Sequence, residues 1–284
     1  MTFGSRLSAA IGEHGPLCVG IDPHPGLLAK WGLDDDVAGL ETFTMTVVEA
    51  LAGRVAAIKP QAAFFERHGS KGVAVLERAL EGIREEGGLS VVDAKRGDIG
   101  STMSAYADAF VGESSPLAGD AVTVSPFLGF GSLRPLLDLA AANGRGVFVL
   151  ALTSNPEGGE VQHAVPSVSS VSSGPKTVAQ NIIDAVAAEN AGAGPLGSVG
   201  VVVGATVTGA GREHDLSALN GPILAPGIGA QGATADDLRE VFGPALRHVL
   251  PNSSREVLGA GPTVAGLREA ADRTVEAVSL ALRA

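Results

Sequence analysis

The chain of 284 residues is 45% hydrophobic and 18% charged, which allows a large core in one α/β barrel or in two smaller domains. Its net charge of -11 at pH 7 argues against a nucleic-acid-binding surface, because such a surface needs clustered lysines and arginines. Because Cys18 is the single cysteine, an internal disulfide is excluded. It lies in an apolar run, which is typical of a buried thiol and fits a reducing cytoplasm.

Residues 1–15 include Arg6 and Glu13 and have no long apolar stretch, so they resemble neither a signal peptide nor a membrane anchor. No later segment approaches the ~20 consecutive apolar residues that cross a bilayer. The six histidines are scattered, without the H-E-x-x-H or paired Cys/His spacing of a transition-metal site. We therefore expect a cytoplasmic protein with no membrane segment and no bound metal.

Eight short runs rich in Val, Ile, Leu and Ala predict strands at residues 17–21, 55–58, 89–92, 121–124, 146–152, 199–203, 223–225 and 247–250. Most of these runs lack alternating polar residues, which is typical of parallel strands that are buried on both faces. Helical spacing is found in longer segments, at residues 37–51, 73–84, 133–142, 177–189 and 264–282.

This alternation predicts an α/β fold of the (β/α)8 TIM-barrel type, formed by residues 1–284 as a single domain. An open doubly wound sheet is the alternative that the sequence leaves open. Residues 157–176 include a serine-rich stretch, which predicts an extended loop or an insertion without catalytic purpose.

Polar or turn-forming residues follow most of the predicted strands, and in a parallel barrel these strand ends meet on one face. Asp22 follows the first strand, Lys59 the second, Thr153 and Ser154 the fifth, and Arg255 the eighth. Each residue also has a structural interpretation. Lys59 is equally typical of a structural ion pair. Asp22 is equally typical of a cap or turn residue, and the hydroxyls of Thr153 and Ser154 are typical of an ordinary turn.

The third strand is followed by the sequence D-A-K-R-G-D at residues 93–98. Side chains of an extended segment repeat every second residue, so Asp93 and Lys95 are predicted on one face, and Asp98 can turn back towards Lys95. An ammonium between two carboxylates stays protonated at neutral pH, which makes Lys95 a candidate proton donor. Lys59 needs a carboxylate partner at the end of an apolar strand, and Asp93 and Asp22 are the candidates for it. The alternative is a solvated surface turn whose charges neutralise one another.

The seventh strand is followed by a glycine-rich segment, residues 226–232, whose backbone N–H groups are unobstructed by side chains. Arg255, after the next strand, adds a cation that can bind an anion in a bidentate manner. Because phosphate commonly binds at loops seven and eight of this barrel, the pair predicts a phosphate site. Simple turn chemistry is the alternative for the glycines.

Taken together, these motifs resemble the orotidine 5'-phosphate decarboxylase family, in particular its longer bacterial type, in which the charged loop reads D-A-K-R-G-D-I-G-S-T. The resemblance covers most of the chain, through residues 19–23, 58–66, 93–102, 152–155, 225–232 and 254–255. The charged loop is specific when it occurs together with the segment P-G-I-G-A-Q-G.

Carried over residue by residue, the resemblance implies a charged catalytic network in which Lys95 protonates the pyrimidine carbon that loses carbon dioxide; the network comprises Lys59, Asp93, Lys95 and Asp98. It further implies ribose contacts from Asp22, Lys59 and Thr102, base contacts from Ser154 and Gln231 with Thr153 beside them, and phosphate contacts from Gln231, Arg255 and the backbone of Gly229 to Gly232. In this family the equivalents of Asp98 and Thr102 come from a second subunit, so a homodimer with shared active sites is implied.

The implied activity is cofactor-independent decarboxylation of orotidine 5'-phosphate to uridine 5'-phosphate, in the synthesis of pyrimidines. Three other functions stay open on the residues. These are a magnesium-dependent sugar-phosphate decarboxylase, an aldolase with a Schiff base on Lys59 or Lys95, and a nucleotide-phosphate-binding protein without catalysis.

Overall fold

The computed structural model describes residues 1–167, 175–205, 214–227 and 235–283. Within these ranges, eight strands are numbered in chain order: β1 Cys18–Ile21, β2 Ala57–Pro60, β3 Val91–Arg96, β4 Ala121–Val124, β5 Gly146–Leu152, β6 Val199–Val203, β7 Ile223–Pro226 and β8 Val249–Ser253. The helices of the same ranges are α1 Phe3–His14, α2 Pro25–Lys30, α3 Val37–Leu51, α4 Ala62–Glu66, α5 Gly69–Glu85, α6 Gly100–Val111, α7 Arg134–Ala142, α8 Gly159–Gln162, α9 Val178–Glu189, α10 Ala235–Phe242, α11 Arg255–Leu258 and α12 Val264–Arg283.

The strands form one parallel sheet in the order β2-β1-β8-β7-β6-β5-β4-β3. Two isolated bridges, Ile58 with Ser90 and Gln61 with Asp93, join the two edge strands to each other. The sheet is therefore a nearly closed barrel, and the predicted (β/α)8 fold is confirmed.

Side chains of the strands alternate between the barrel interior and the helices. The outward residues, such as Val19, Val92 and Val149, belong to a large core that includes helix residues such as Phe43 and Leu136. A separate apolar cluster fills the lower interior, with one residue from each of several strands: Cys18, Ala57, Val91, Ala121, Phe148 and Leu250. Two residues further along those strands the inward positions are mostly polar or small: Gly20, Lys59, Asp93, Thr123, Leu150 and Asn252.

Helix α1 closes the amino-terminal end of the barrel, and it is absent from our sequence predictions. Phe3 and Leu7 are fully buried in the lower cluster, and the Phe3 ring meets Phe148 edge to face with centroids 6.0 Å apart. Gly146 is required there, because a Cβ atom at this position would lie 2.2 Å from the Phe3 ring. The amino-terminal end is thus filled, and any cavity must open at the carboxyl ends of the strands.

Three predicted strands were placed two or more residues too early. Strand β2 extends to Pro60 and therefore contains Lys59, β3 runs from Val91 through Lys95 to Arg96, and β8 begins after Arg247 and contains Asn252 and Ser253. The prediction of a charged loop after the third strand is wrong for its first half. An apolar run ends at the first charge, whereas β3 continues because Asp93 pairs with Lys95 inside the barrel and Arg96 pairs with Glu66.

The predicted helices are confirmed with small shifts at their ends, the largest in α5, which begins at Gly69 rather than at residue 73. Of the predicted loop at 157–176, residues 168–174 lie outside the described residues, and the preceding part contains the short helix α8. None of the described helices is both long and apolar enough to cross a membrane.

Candidate active site

A cavity of about 600 Å³ opens at the carboxyl ends of the strands. Its walls come mainly from the ends of β1, β2, β3, β7 and β8 and from the residues that follow them. Its charged and polar lining residues are Asp22, His24, Lys59, Gln61, Asp93, Lys95, Thr153, Asn252, Ser253, Ser254 and Arg255. Phe64, Leu150, Val202, Leu224, Pro226 and Gly227 complete the lining.

Asp93 lies at the centre of a hydrogen-bonded network on the floor of this cavity. Its Oδ2 atom accepts from Lys59 Nζ at 2.9 Å, and its Oδ1 atom accepts from Lys95 Nζ at 2.5 Å and from Thr123 Oγ1 at 2.8 Å. The two lysines therefore bind opposite oxygens of one carboxylate. The predicted convergence of Lys59, Asp93 and Lys95 is what the structure shows.

Burial gives the pair Lys59 and Asp93 its electrostatic character. Only 4% of Lys59 and 9% of Asp93 are exposed. Burial alone would lower the pKa of Lys59, but the carboxylates of Asp93 and Asp22 outweigh it and hold that pKa above its ordinary value. Burial would likewise raise the pKa of Asp93, but the ammonium groups of Lys59 and Lys95 hold it well below its usual range. Both groups are charged at neutral pH.

Lys95 differs from Lys59 because its side chain is 43% exposed and lines the cavity. Its backbone has φ of 48°, in the left-handed region that few residues other than glycine adopt. The ladder between β3 and β4 is irregular here, since it passes from Val92 opposite Val122 to Arg96 opposite Val124. This bulge turns the ammonium of Lys95 towards the cavity, where it is the accessible cation of the network.

Several buried oxygen atoms on the cavity wall have no hydrogen-bond partner among the described residues. They are Asp22 Oδ1, Gln61 Oε1 and Ser253 Oγ. Buried polar atoms are normally paired, so these three oxygen atoms are candidates to bond the hydroxyl or amide groups of a ligand. Gly20 allows the close approach of the neighbouring strands, because a Cβ atom there would lie 2.0 Å from Ser254 Oγ.

The predicted phosphate end of the site is partly described. Arg255 is exposed at the start of α11 and lines the cavity, as do Pro226 and Gly227 at the end of β7. The candidates Gly229, Gln231 and Gly232 lie outside the described residues.

Thr153 and Ser154 occupy different environments. Thr153 lines the cavity, but its hydroxyl donates to Asn155 Oδ1 at 2.6 Å and accepts from Gln162 Nε2 at 2.6 Å. Ser154 is exposed and is not among the lining residues. Of the two hydroxyls, only that of Thr153 lies on the cavity wall.

Asp98 and Thr102 lie outside the cavity of their own chain. Asp98 Oδ1 accepts from Ile99 N at 2.8 Å, and Thr102 is exposed on α6. Asp98 does not pair with Lys95 within one chain, because its carboxylate instead accepts from the backbone that follows it. Lys95 has one carboxylate partner among the described residues, Asp93.

Sequence reasoning did not select Thr123, Gln61 and Ser253 as site residues. Thr123 lies in a predicted strand, but a single threonine in an apolar run is unremarkable until its inward position is known. The signal was the spacing of two between Ala121 and Thr123, which matches that between Val91 and Asp93. In the part of the chain that the structure describes, no cluster of three or more His, Cys, Asp and Glu side chains is placed to hold a metal ion.

Comparison with known proteins gives consistent matches. The sequence model of the "Orotidine 5'-phosphate decarboxylase / HUMPS family" matches residues 15–270. An orotidine 5'-phosphate decarboxylase of Salinispora arenicola is 65% identical over 274 residues, which is 96% of each chain. One of Streptomyces coelicolor is 61% identical over 282 residues, 99% of each chain. A Streptomyces avermitilis protein, crystallised as a candidate for the same activity, superposes with a TM-score of 0.94 at 61% identity, covering 100% of this chain and 96% of that one.

Proposed function

The chain belongs to the orotidine 5'-phosphate decarboxylase / HUMPS family, and on that premise we propose that it decarboxylates orotidine 5'-phosphate to uridine 5'-phosphate in the synthesis of pyrimidines. The observation that carries the proposal is the convergence of Lys59, Asp93 and Lys95 on the floor of one cavity. The whole chain acts as one barrel domain, and its buried free thiol at Cys18 suits a reducing cytoplasm.

The network favours the transition state over the bound substrate. A substrate carboxylate placed beside Asp93 meets a like charge, whereas the carbanion that forms when carbon dioxide leaves meets the ammonium of Lys95. Stabilisation therefore increases along the reaction coordinate, and the groups that provide it are fixed in advance by the hydrogen bonds to Asp93.

The chemical step needs one proton. The bond between the pyrimidine carbon and the carboxyl carbon breaks, and its electron pair stays on the pyrimidine carbon. Lys95 Nζ then donates the proton that takes the place of carbon dioxide, and solvent returns a proton to the amine. All the groups of this step are side chains of the protein, so the reaction requires no cofactor.

Lys59 and Arg255 have supporting roles in this proposal. Lys59 keeps Asp93 ionised and, with Asp22, lies where ribose hydroxyls would bind. Arg255 at the cavity mouth binds the phosphate together with the segment after Gly227, through the guanidinium geometry that suits a phosphate group. Binding energy at the phosphate, remote from the reacting carbon, then helps to hold the base against Lys95.

The second subunit is a further part of the proposal. Three large apolar side chains are exposed in the segments after β3 and β4, namely Ile99 next to Asp98 at 61%, Phe127 at 76% and Leu128 at 52%. They follow β3 and β4, whose ends are joined by a bond from Ser125 N to Arg96 O of 2.7 Å. Such a patch is typical of a protein interface, and a second copy seated on it would receive Asp98 and Thr102 in its own cavity.

Absorbance assays with orotidine 5'-phosphate test the activity. Wild-type protein is expected to consume the substrate in the presence of a chelator, and Lys95→Ala should lower kcat by about 10²- to 10⁴-fold. Lys71→Ala, on the exposed face of α5, is the matched control and should retain full activity. Substrate binding without turnover by the wild type would favour a binding protein. A loss of activity in the presence of a chelator would favour a magnesium enzyme. Trapping of a Schiff-base adduct by borohydride would favour an aldolase.

Subunit mixing tests the shared site separately. Lys95→Ala and Asp98→Ala are each expected to keep at most about 1% of wild-type activity. Exchange of their subunits should restore about a quarter of wild-type activity, because half of the dimers then carry one intact site of two. If native mass spectrometry shows mixed dimers and activity stays absent, the sharing of Asp98 is refuted while the decarboxylase activity stands.

A further inference from the structure

The network around Asp93 contains one uncharged residue that does not line the cavity. Thr123, in β4, is 1% exposed and is not among the residues that line the cavity. Its hydroxyl nevertheless contacts both the side chain of Asp93 and the backbone of Lys95. We propose that Thr123 is a positioning residue for decarboxylation, which holds the Lys95 ammonium in its reactive place; this inference rests on the proposed function.

The direction of each hydrogen bond is fixed by chemistry. Lys95 N can only donate, so Thr123 Oγ1 accepts this bond at 3.0 Å. The hydroxyl hydrogen is then free to point at Asp93 Oδ1, an ionised acceptor at 2.8 Å. One hydroxyl thus joins the backbone of the proton donor to the carboxylate that orients the donor's side chain.

The backbone of Lys95 explains why such a link is needed. Between Val92 and Arg96 the ladder with β4 is interrupted, and four steps along β3 correspond to two along β4. The N–H group of Lys95 therefore has no carbonyl partner in the regular ladder. The backbone φ of Lys95 is 48°, a conformation that a residue other than glycine adopts only when its surroundings hold it there. Thr123 lies opposite this bulge and supplies the missing acceptor.

Loss of the hydroxyl has a specific consequence. The N–H group of Lys95 would lose its acceptor, so the bulge could relax and carry the ammonium away from the reacting carbon. Because Thr123 is not on the cavity wall, contacts with the phosphate and ribose would stay in place. A change in kcat with little change in KM is the expected signature, since only the transition state uses the placed ammonium.

Three variants of the full chain test the inference. Thr123→Val removes the hydroxyl at nearly constant shape, and kcat for orotidine 5'-phosphate should fall about 10- to 100-fold, as expected when a reacting group is misplaced by a fraction of an ångström to 1 Å. Its KM and its affinity for uridine 5'-phosphate, measured by calorimetry, should stay within about threefold of wild type. Thr123→Ser keeps the hydroxyl and should retain near wild-type kcat.

Thr274→Val is the matched control, because Thr274 is also buried, at 5% exposure, and its hydroxyl bonds to Ala270 O within α12 and to no other described residue. It should leave kcat unchanged. Should Thr123→Val not fold, Thr123→Ala replaces it with the same expectations. Unchanged kcat in the variant without the hydroxyl, or equal damage in Thr123→Ser, would overturn the inference. A wild-type protein without turnover would instead overturn the proposed function.

Discussion

The buried ion pair between Lys59 and Asp93 gives a quantitative prediction about what this site does to stability. The pair is 2.9 Å long, and its members are 4% and 9% exposed. Removing one member of such a pair leaves an uncompensated buried charge, which costs about 3–5 kcal/mol of unfolding free energy. Lys59→Met should lie at the lower end of this range, because Asp93 keeps its bonds from Lys95 and Thr123. Asp93→Asn should lie at the upper end, because Lys59 keeps only the more distant charge of Asp22.

The double variant Lys59→Met with Asp93→Asn measures the interaction between the two charges apart from the cost of leaving either one buried alone. Neither charge is then left buried alone, so the total loss should be smaller than the sum of the two single losses by at least about 2 kcal/mol. Urea unfolding followed by circular dichroism at pH 7 measures all three values. Decarboxylase activity should be lost in every variant, including the double variant whose stability recovers.

An exposed ion pair of equal length is the matched control. Arg78 and Glu41 are 2.9 Å apart with side chains 45% and 44% exposed, and Glu41→Gln should change the unfolding free energy by no more than about 1 kcal/mol. The reasoning is refuted if the buried single variants cost no more than this control, or if the double variant loses the full sum.

Further predictions concern the strand ends and the titrating groups. Gly20→Ala places a Cβ atom 2.0 Å from Ser254 Oγ, so it should cost about 1–3 kcal/mol in urea unfolding, and Ser254→Ala in the same chain should recover part of that loss. Burial raises the pKa of the Cys18 thiol to about 12, so iodoacetamide at pH 8 should label this residue only after unfolding, and rapid labelling of the folded protein would contradict the assignment. The pKa of Asp93 is held below its unfolded value of about 3.9, so the carboxylate contributes its full stabilisation above that pH and loses it as the pH falls further. The difference in unfolding free energy between wild type and Asp93→Asn should therefore shrink below pH 4, and a difference constant from pH 6 to pH 2 would exclude this linkage.

The strands of this fold were predictable because parallel barrel strands are apolar on the face that meets the helices. Val19, Val92 and Val149 carry that signal, and it is present whatever the interior of the barrel contains. The ends of β2, β3 and β8 were not predictable from the same signal, since their last inward residues are polar. A charge such as Asp93 marks the end of a strand only when it has no partner inside the fold, and here the partner, Lys59, is 34 positions away.

Helix α1 and the residue Thr123 illustrate two other limits of the sequence. The apolar face of α1 is short, with Phe3, Gly4 and Leu7 as its buried residues. This face packs against the end of a barrel that forms from distant segments, so the local sequence does not indicate its role. The spacing of two from Ala121 predicts an inward Thr123, but its bond to Lys95 depends on a bulge in the neighbouring strand, which residues 121–124 do not indicate.

The two inward layers of the barrel explain how charge can be held so deep at this site. The lower layer, which includes Cys18, Phe148 and Leu250, is apolar and is covered by α1. Apolar side chains therefore separate the ion pair from the amino-terminal end of the barrel. The upper layer bears Lys59, Asp93 and Thr123, and each ionised group there has a hydrogen-bond partner on an adjacent strand. Since a pair of apolar residues would pack in the same space at no cost in stability, the charges are explained by the cavity above them rather than by the core below. Lys95 is the one member of the network with substantial exposure to that cavity, which is the property that a proton donor needs.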